Sequence, residues 1–167
     1  MKATKLKGFN TALQQVDAQY SWINDMIKAR QDLVSRYMQL LNDVSTVGIT
    51  PKANQALLKE ITAFCEHMID YVSHGHFDLY PKIIELMENA SGRSLSIANR
   101  AMPRIEETTD VLMNFNDTYT DGIKDAKLEQ LKDDLGAVAE ALELRFRNED
   151  RLIIGLRLVH SIMETPA

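Results

Sequence analysis

The chain has 167 residues, 45% of them hydrophobic and 26% charged, with a formal net charge of −5. That length suits a single domain spanning 1–167, able to bury a core without metal or disulfide, and the composition excludes a disordered chain. The acidic balance argues against a nucleic-acid binder, and the lone Cys65 excludes both an internal disulfide and the usual thiolate zinc site.

No apolar run reaches the ~18 residues of a membrane span. The N-terminus, MKATKLKGFN, starts basic but has no apolar h-region for secretion, so the cytoplasm is the expected compartment. Seven glycines, four prolines and little strand-like alternation point to a chain that is nearly all helix.

From the N-terminus, Leu6, Phe9, Leu13, Val16, Tyr20, Ile23 and Ile27 recur in steps of three and four, the seam of an amphipathic helix. The pattern resumes through Leu33, Val34, Tyr37, Met38, Leu41 and Val44, and its length predicts a bend or break around Ala18–Ser21. A loop is expected at Thr46-Val-Gly-Ile, and Thr50-Pro51 supplies an N-cap followed by a first-turn proline. The second long helix carries Leu57, Ile61, Phe64, Met68 and Val72 on one face, with an interruption expected at Gly75. Pro81 stands near the start of the next apolar set, Ile83, Ile84, Leu86 and Met87, and Asn89-Ala-Ser-Gly signals a turn. A short helix is predicted over Leu95–Ala101, with Pro103 starting or kinking another that carries Ile105, Val111, Leu112 and Phe115. After a polar stretch, Asn116–Asp125, a last helix runs from about Lys127 to Met163. Long segments joined by short connections predict an all-α antiparallel bundle of four long helices with additional short ones.

Charge is uneven. Residues 1–50 carry six basic and four acidic side chains, whereas residues 106–150 carry five basic and thirteen acidic, a net of −8. Such a segment is either solvated helix surface or a negative field that steers a basic partner.

The densest candidate cluster is Phe64-Cys-Glu-His-Met-Ile-Asp-Tyr-Val-Ser-His-Gly-His-Phe-Asp-Leu-Tyr80, which holds His67, His74 and His76. On a continuous helix, Asp70, Ser73 and Phe77 share a face, prolonged by Tyr80 and Ile84. That face suits a protein partner; alternatively, Ser73-His-Gly-His is a helix interruption whose polar groups satisfy orphaned backbone. In the last helix, Arg145 and Glu149 fall on the apolar stripe of Val138, Leu142, Leu152, Leu156 and Val159. Charges on a core-facing seam must pair or line a cavity. They form either an i,i+4 ion pair or a polar site in which Arg145 meets Asp70 across helices.

A metal site is the rival reading, because di-iron bundles draw His and Glu from several helices. His74 and Asp78 stand four apart and Glu149 could face them, yet only His160 lies outside the central segment and Glu-x-x-His does not occur twice. Cys65 lies near the core-facing stripe, where thiols are inert, and His67 points away from it.

The stretches Phe64-Cys65, Asp70-Tyr71-Val72-Ser73 and Gly75-His76-Phe77 resemble the signature of the Rsd/AlgQ family of bacterial regulators, which bind the primary sigma factor. Ala141-Leu-Glu-x-Arg-Phe146, Glu149-Asp150 and Leu152-Ile153 are similar to that family's C-terminal helix. Pro103 between Leu95 and Ile105, and Arg30 with Leu33-Val34, match further stretches. Met26 stands where the family usually has a tryptophan, and Ala18 near the place of its glycine break. The resemblance implies a cytoplasmic anti-sigma factor, without catalytic residues, cofactor or metal. It implies that the chain binds region 4 of the sigma factor and keeps it from the −35 promoter element and from core polymerase, with a second surface for signalling proteins and no direct contact with nucleic acid or membrane. The positions carried over are Arg30, Asp70, Ser73, Gly75, His76, Phe77, Arg145 and Glu149, which either touch the partner or organise the bundle. The alternative is a hemerythrin-like metal-binding bundle.

Overall fold

Apolar residues at helical spacing build five α-helices in the computed structural model, which describes residues 20–46, 51–90, 92–120 and 128–163. They are α1 (Ser21–Thr46), α2 (Pro51–His74), α3 (Tyr80–Glu88), α4 (Gly92–Thr120) and α5 (Leu131–Met163), with one π-helical turn, Gly75–Leu79, between α2 and α3. The seam Leu6–Val16, the 47–50 loop and the Thr50 cap lie outside the described residues. Helix α1 begins just after a turn at Tyr20, where a break is expected.

Two expectations about helix ends are corrected. Gly75 does not interrupt the second helix: the chain widens into the π-turn, where the Tyr80 N–H reaches the Gly75 carbonyl, and continues into α3. Pro81, which has no N–H to continue the ladder, falls in the first turn of α3, where its missing donor costs little. Pro103 likewise neither starts a helix nor divides one, since α4 runs unbroken through it and on to Thr120, into the stretch expected to be loop. The proline removes the partner of the Asn99 carbonyl, but Asn99 and Pro103 lie on the exposed side while Ala98, Ala101 and Ile105 are buried on the other. Water can take that carbonyl, and burial of the opposite side holds the helix together.

The buried residues form two clusters stacked along the bundle. One gathers Leu33, Leu40, Phe64, Met68, Leu112, Phe115, Leu135 and Val138 with their neighbours; the other gathers Ile23, Met26, Tyr80, Ile83, Ala98, Ile105, Leu152 and Leu156. Helix α1 runs from the second cluster to the first, α2 lies along the first and leads through the π-turn to α3 in the second, α4 returns to the first and α5 runs back to the second. That alternation makes the long helices antiparallel. Helices α1, α4 and α5 each cross from one cluster to the other, and Arg30, Thr108, Thr109, Arg145 and Glu149 stand where they cross, beside Tyr71 near the end of α2.

Candidate functional site

The level between the two clusters is a buried polar layer. Arg145, Asn148 and Glu149 on α5 are each 1% exposed or less, and Thr108 on α4 is 1% exposed. Burying such groups is unfavourable unless they pair. Glu149 is the hub. Its Oε2 accepts from the Tyr71 hydroxyl at 2.6 Å and from Arg30 Nη2 at 3.0 Å, and its Oε1 accepts from the Tyr80 hydroxyl at 2.5 Å. Arg145 Nε lies 3.3 Å from Oε1 one turn earlier on the same helix. Three helical segments besides α5 therefore converge on one carboxylate.

Arg145 spends its hydrogen bonds on α4. Its Nη1 donates to Thr109 Oγ1 at 3.0 Å, to Thr108 Oγ1 at 3.2 Å and to the Ile105 carbonyl at 3.5 Å, and its guanidinium sits 5.6 Å from the Tyr80 ring centre. Nε and Nη2 make no hydrogen bond among the described residues. Arg30 spans α1 and α5: its Nη1 donates to Asp150 at 2.7 Å, and its guanidinium stacks 4.7 Å from the Phe146 ring centre. Burial opposes the charge on Arg30, but the Asp150 hydrogen bond and the neighbouring Tyr71 and Glu149 outweigh it and raise its pKa. Burial, followed by Glu149, raises the pKa of both Tyr71 and Tyr80, which stay neutral donors at any physiological pH.

Gly75 makes one of these bonds possible. It is buried, and a Cβ there would stand 2.8 Å from the Tyr80 hydroxyl oxygen and 2.9 Å from the ring carbon that bears it. Only a residue without a side chain lets the Tyr80 ring cross α2 to Glu149. The π-turn adds the extra residue that turns Tyr80 inward. The expectation that Tyr80 prolongs an outer stripe is thereby corrected, since Tyr80 is 1% exposed.

The other candidates face outward. Phe77 is 74% exposed, its ring edge-to-face with exposed His76 at 5.1 Å. Ser73 is half-buried and Asp70 exposed. The proposed meeting of Arg145 with Asp70 does not occur, because Arg145 is turned into the bundle toward α4 while Asp70 stands on the outer side of α2. The alternative i,i+4 pairing of Arg145 with Glu149 is the one present. Asp70 lines a groove of about 230 Å³ between α1 and α2, with Met26, Leu33, Tyr71 and Leu79 beneath it and Asp32, His67 and His74 around it.

His74 and Asp78 pair at 2.9 Å on the surface, but Glu149 does not face them. Among the described residues no three His, Cys, Asp or Glu side chains come together as metal ligands. Cys65 is fully buried, and burial, with Glu66 nearby, pushes its thiol up to about 12, which leaves no thiolate for chemistry.

Sequence reasoning missed Tyr71, Tyr80, Thr108 and Thr109 as members of the layer. A signal existed: Thr108-Thr109 stand between Ile105 and Leu112 where an apolar seam should continue, and two tyrosines bracket Gly75.

A family model described as regulator of RNA polymerase sigma(70) subunit, Rsd/AlgQ, matches residues 5–157. The chain belongs to the Rsd/AlgQ family. Similar relatives are proteins named regulator of sigma D from Yersinia pestis, 31% identical over 152 residues that cover 89% of this chain and 86% of theirs, and from Pectobacterium atrosepticum, 30% identical with 89% and 95% covered. The Yersinia enterocolitica protein of the same name is 30% identical over 149 residues. The Rsd/AlgQ match takes in every member of the polar layer as well as the π-turn. Among the described residues no helix is long and apolar enough to cross a membrane.

Proposed function

We propose that this chain is a non-catalytic, cytoplasmic anti-sigma factor that binds region 4 of the primary sigma factor and withholds it from −35 promoter DNA and from core polymerase. The observation that carries the reading is Phe77, a phenylalanine 74% exposed on the π-turn between α2 and α3. Large exposed aromatics on ordered elements are the usual anchors of protein interfaces. Asp70, exposed on α2, makes no hydrogen bond or ion pair among the described residues, which leaves its carboxylate open to a partner. Region 4 is a helix-turn-helix with a basic DNA-facing surface, and the net charge of −5 suits competition with DNA for it.

The roles divide by burial. Asp70, Ser73, His76 and Phe77 supply contact, while Gly75, Arg145 and Glu149, with Arg30 between the two sets, hold the helices that present them. Calorimetric titration of the protein into the isolated region 4 domain of its own primary sigma factor tests the reading. A saturable 1:1 isotherm is expected; no heat with both proteins folded would overturn it.

A further inference from the structure

Between Gly75 and Tyr80 lie four residues, His76 to Leu79, and Tyr80 closes this turn twice. Its backbone N–H donates to the Gly75 carbonyl, five residues back. Its hydroxyl, 2.5 Å from Glu149 Oε1, ties the same residue to α5. The ring between those two donors passes so near Gly75 that a Cβ there would stand 2.8 Å from the hydroxyl oxygen. The two ends of the turn are therefore fixed against each other and against the polar layer.

A π-turn is an exception to the α-helical default, and the Tyr80 hydroxyl supplies the contact from outside the turn that holds it. Pro81 cannot take over, because it has no N–H with which to restore the ordinary four-residue spacing at the Phe77 carbonyl. Helix α3 is anchored in the core by Ile83 and Met87. A turn released at Tyr80 must then absorb the change within its own four residues. Phe77 is among them and has little to fix it independently: it is 74% exposed, and its ring contact is with exposed His76. The backbone of the turn sets the direction in which that side chain leaves the molecule.

We propose that Tyr80 is a positioning residue for the partner face: through its hydroxyl bond to Glu149 it holds the π-turn and aims Phe77 at the partner. Tyr80 itself is buried and meets no partner. The inference rests on the reading of Phe77 as the anchor for region 4. It adds that part of the affinity is decided in the interior, at a hydroxyl outside the interface.

Tyr80→Phe removes the hydroxyl and keeps the ring that fills the core, with circular dichroism to confirm folding. Tyr37→Phe is the control, since it removes another buried hydroxyl bond, 2.8 Å to the Leu135 carbonyl, in the other cluster. Amide spectra and hydrogen exchange of the ¹⁵N-labelled protein report the turn without any partner. Changes from His76 to Tyr80 are expected in Tyr80→Phe and not in Tyr37→Phe; an unchanged turn would overturn the proposal.

Titration with region 4 reports the face. Affinity about fivefold to tenfold weaker is expected in Tyr80→Phe, and unchanged in Tyr37→Phe. Equal losses in both variants would mean that affinity follows overall stability, and no loss in Tyr80→Phe would mean that the turn does not aim the anchor. Either overturns the proposal. In a Phe77→Ala background, Tyr80→Phe should cost little further affinity; an undiminished cost would show that Tyr80 does not act through Phe77. If region 4 fails to bind the parent protein, the sigma reading falls instead, and the amide result still decides whether Tyr80 holds the turn.

Discussion

Gly75 and Phe77 are two residues apart in the chain and belong to opposite regions of the molecule. Gly75 opens the way for Tyr80 into a layer where Glu149 gathers two tyrosines and two arginines out of water, and Phe77 projects into solvent on the same π-turn. In the layer every group is held by several others, so removing one leaves the rest unpaired in a low-dielectric interior. On the ledge the Phe77 ring meets exposed His76 edge to face and fills no part of the interior. One stretch of sequence therefore divides its residues between holding the bundle and facing a partner, and burial decides which residue does which.

The largest effect expected from breaking that contrast is in Glu149→Ala. It strands Arg145, Arg30 and two hydroxyls, and should cost about 3–5 kcal/mol in urea unfolding. A loss below about 1 kcal/mol would mean that the layer is not paired as described. Gly75→Ala comes next, at about 2–3 kcal/mol, because the new methyl drives the Tyr80 hydroxyl off a charged acceptor. In a Tyr80→Phe background the same substitution should cost clearly less, and a double-mutant cycle reads the difference. Additive costs would separate the glycine from the tyrosine.

The layer should also respond to alkali. Tyr71 and Tyr80 have raised pKa values in the fold, from burial first and Glu149 second, whereas unfolded tyrosines ionise near ~10. Stability is therefore complete below about pH 10 and falls as pH rises above it, since only the unfolded chain gives up those protons. The Tyr71→Phe, Tyr80→Phe variant should show a shallower alkaline fall, leaving Tyr37 and Tyr119 to contribute. An equally steep fall would place the titration elsewhere. The smallest effect on stability belongs to Phe77→Ala, within about 0.5 kcal/mol. The same variant should lose at least about 2 kcal/mol of region 4 binding. A variant that unfolds would make Phe77 a structural residue instead.

Much of the fold was legible because helical periodicity is local. Steps of three and four marked α1, α2 and α5, and the interior stripe of α5 flagged Arg145 and Glu149 as charges that needed an explanation. The errors at Gly75 and Pro103 share a cause: glycine and proline break helices that stand alone, but here tertiary burial, of Gly75 itself against Tyr80 and of the side opposite Pro103, outweighs the local cost. The partner of Arg145 was misjudged for a different reason. Asp70 was the available carboxylate by composition, and only the phase of α2 against α5 shows that it faces outward. Tyr71 and Tyr80 went unread because a tyrosine on an apolar seam looks the same whether its hydroxyl meets water or a buried carboxylate.

By itself the sequence determined an all-helical chain, the extent of most of its long helices, its acidic balance and, through the stretches around Phe64–Phe77 and Ala141–Ile153, its family. These follow from side-chain spacing and residue identity along a single segment. The tertiary structure decided which polar residues meet and which stay in water. That depends on the rotation of each helix about its axis, which one extra residue in the π-turn changes by about 100°, and on packing between segments up to 120 positions apart, as in Arg30 with Asp150.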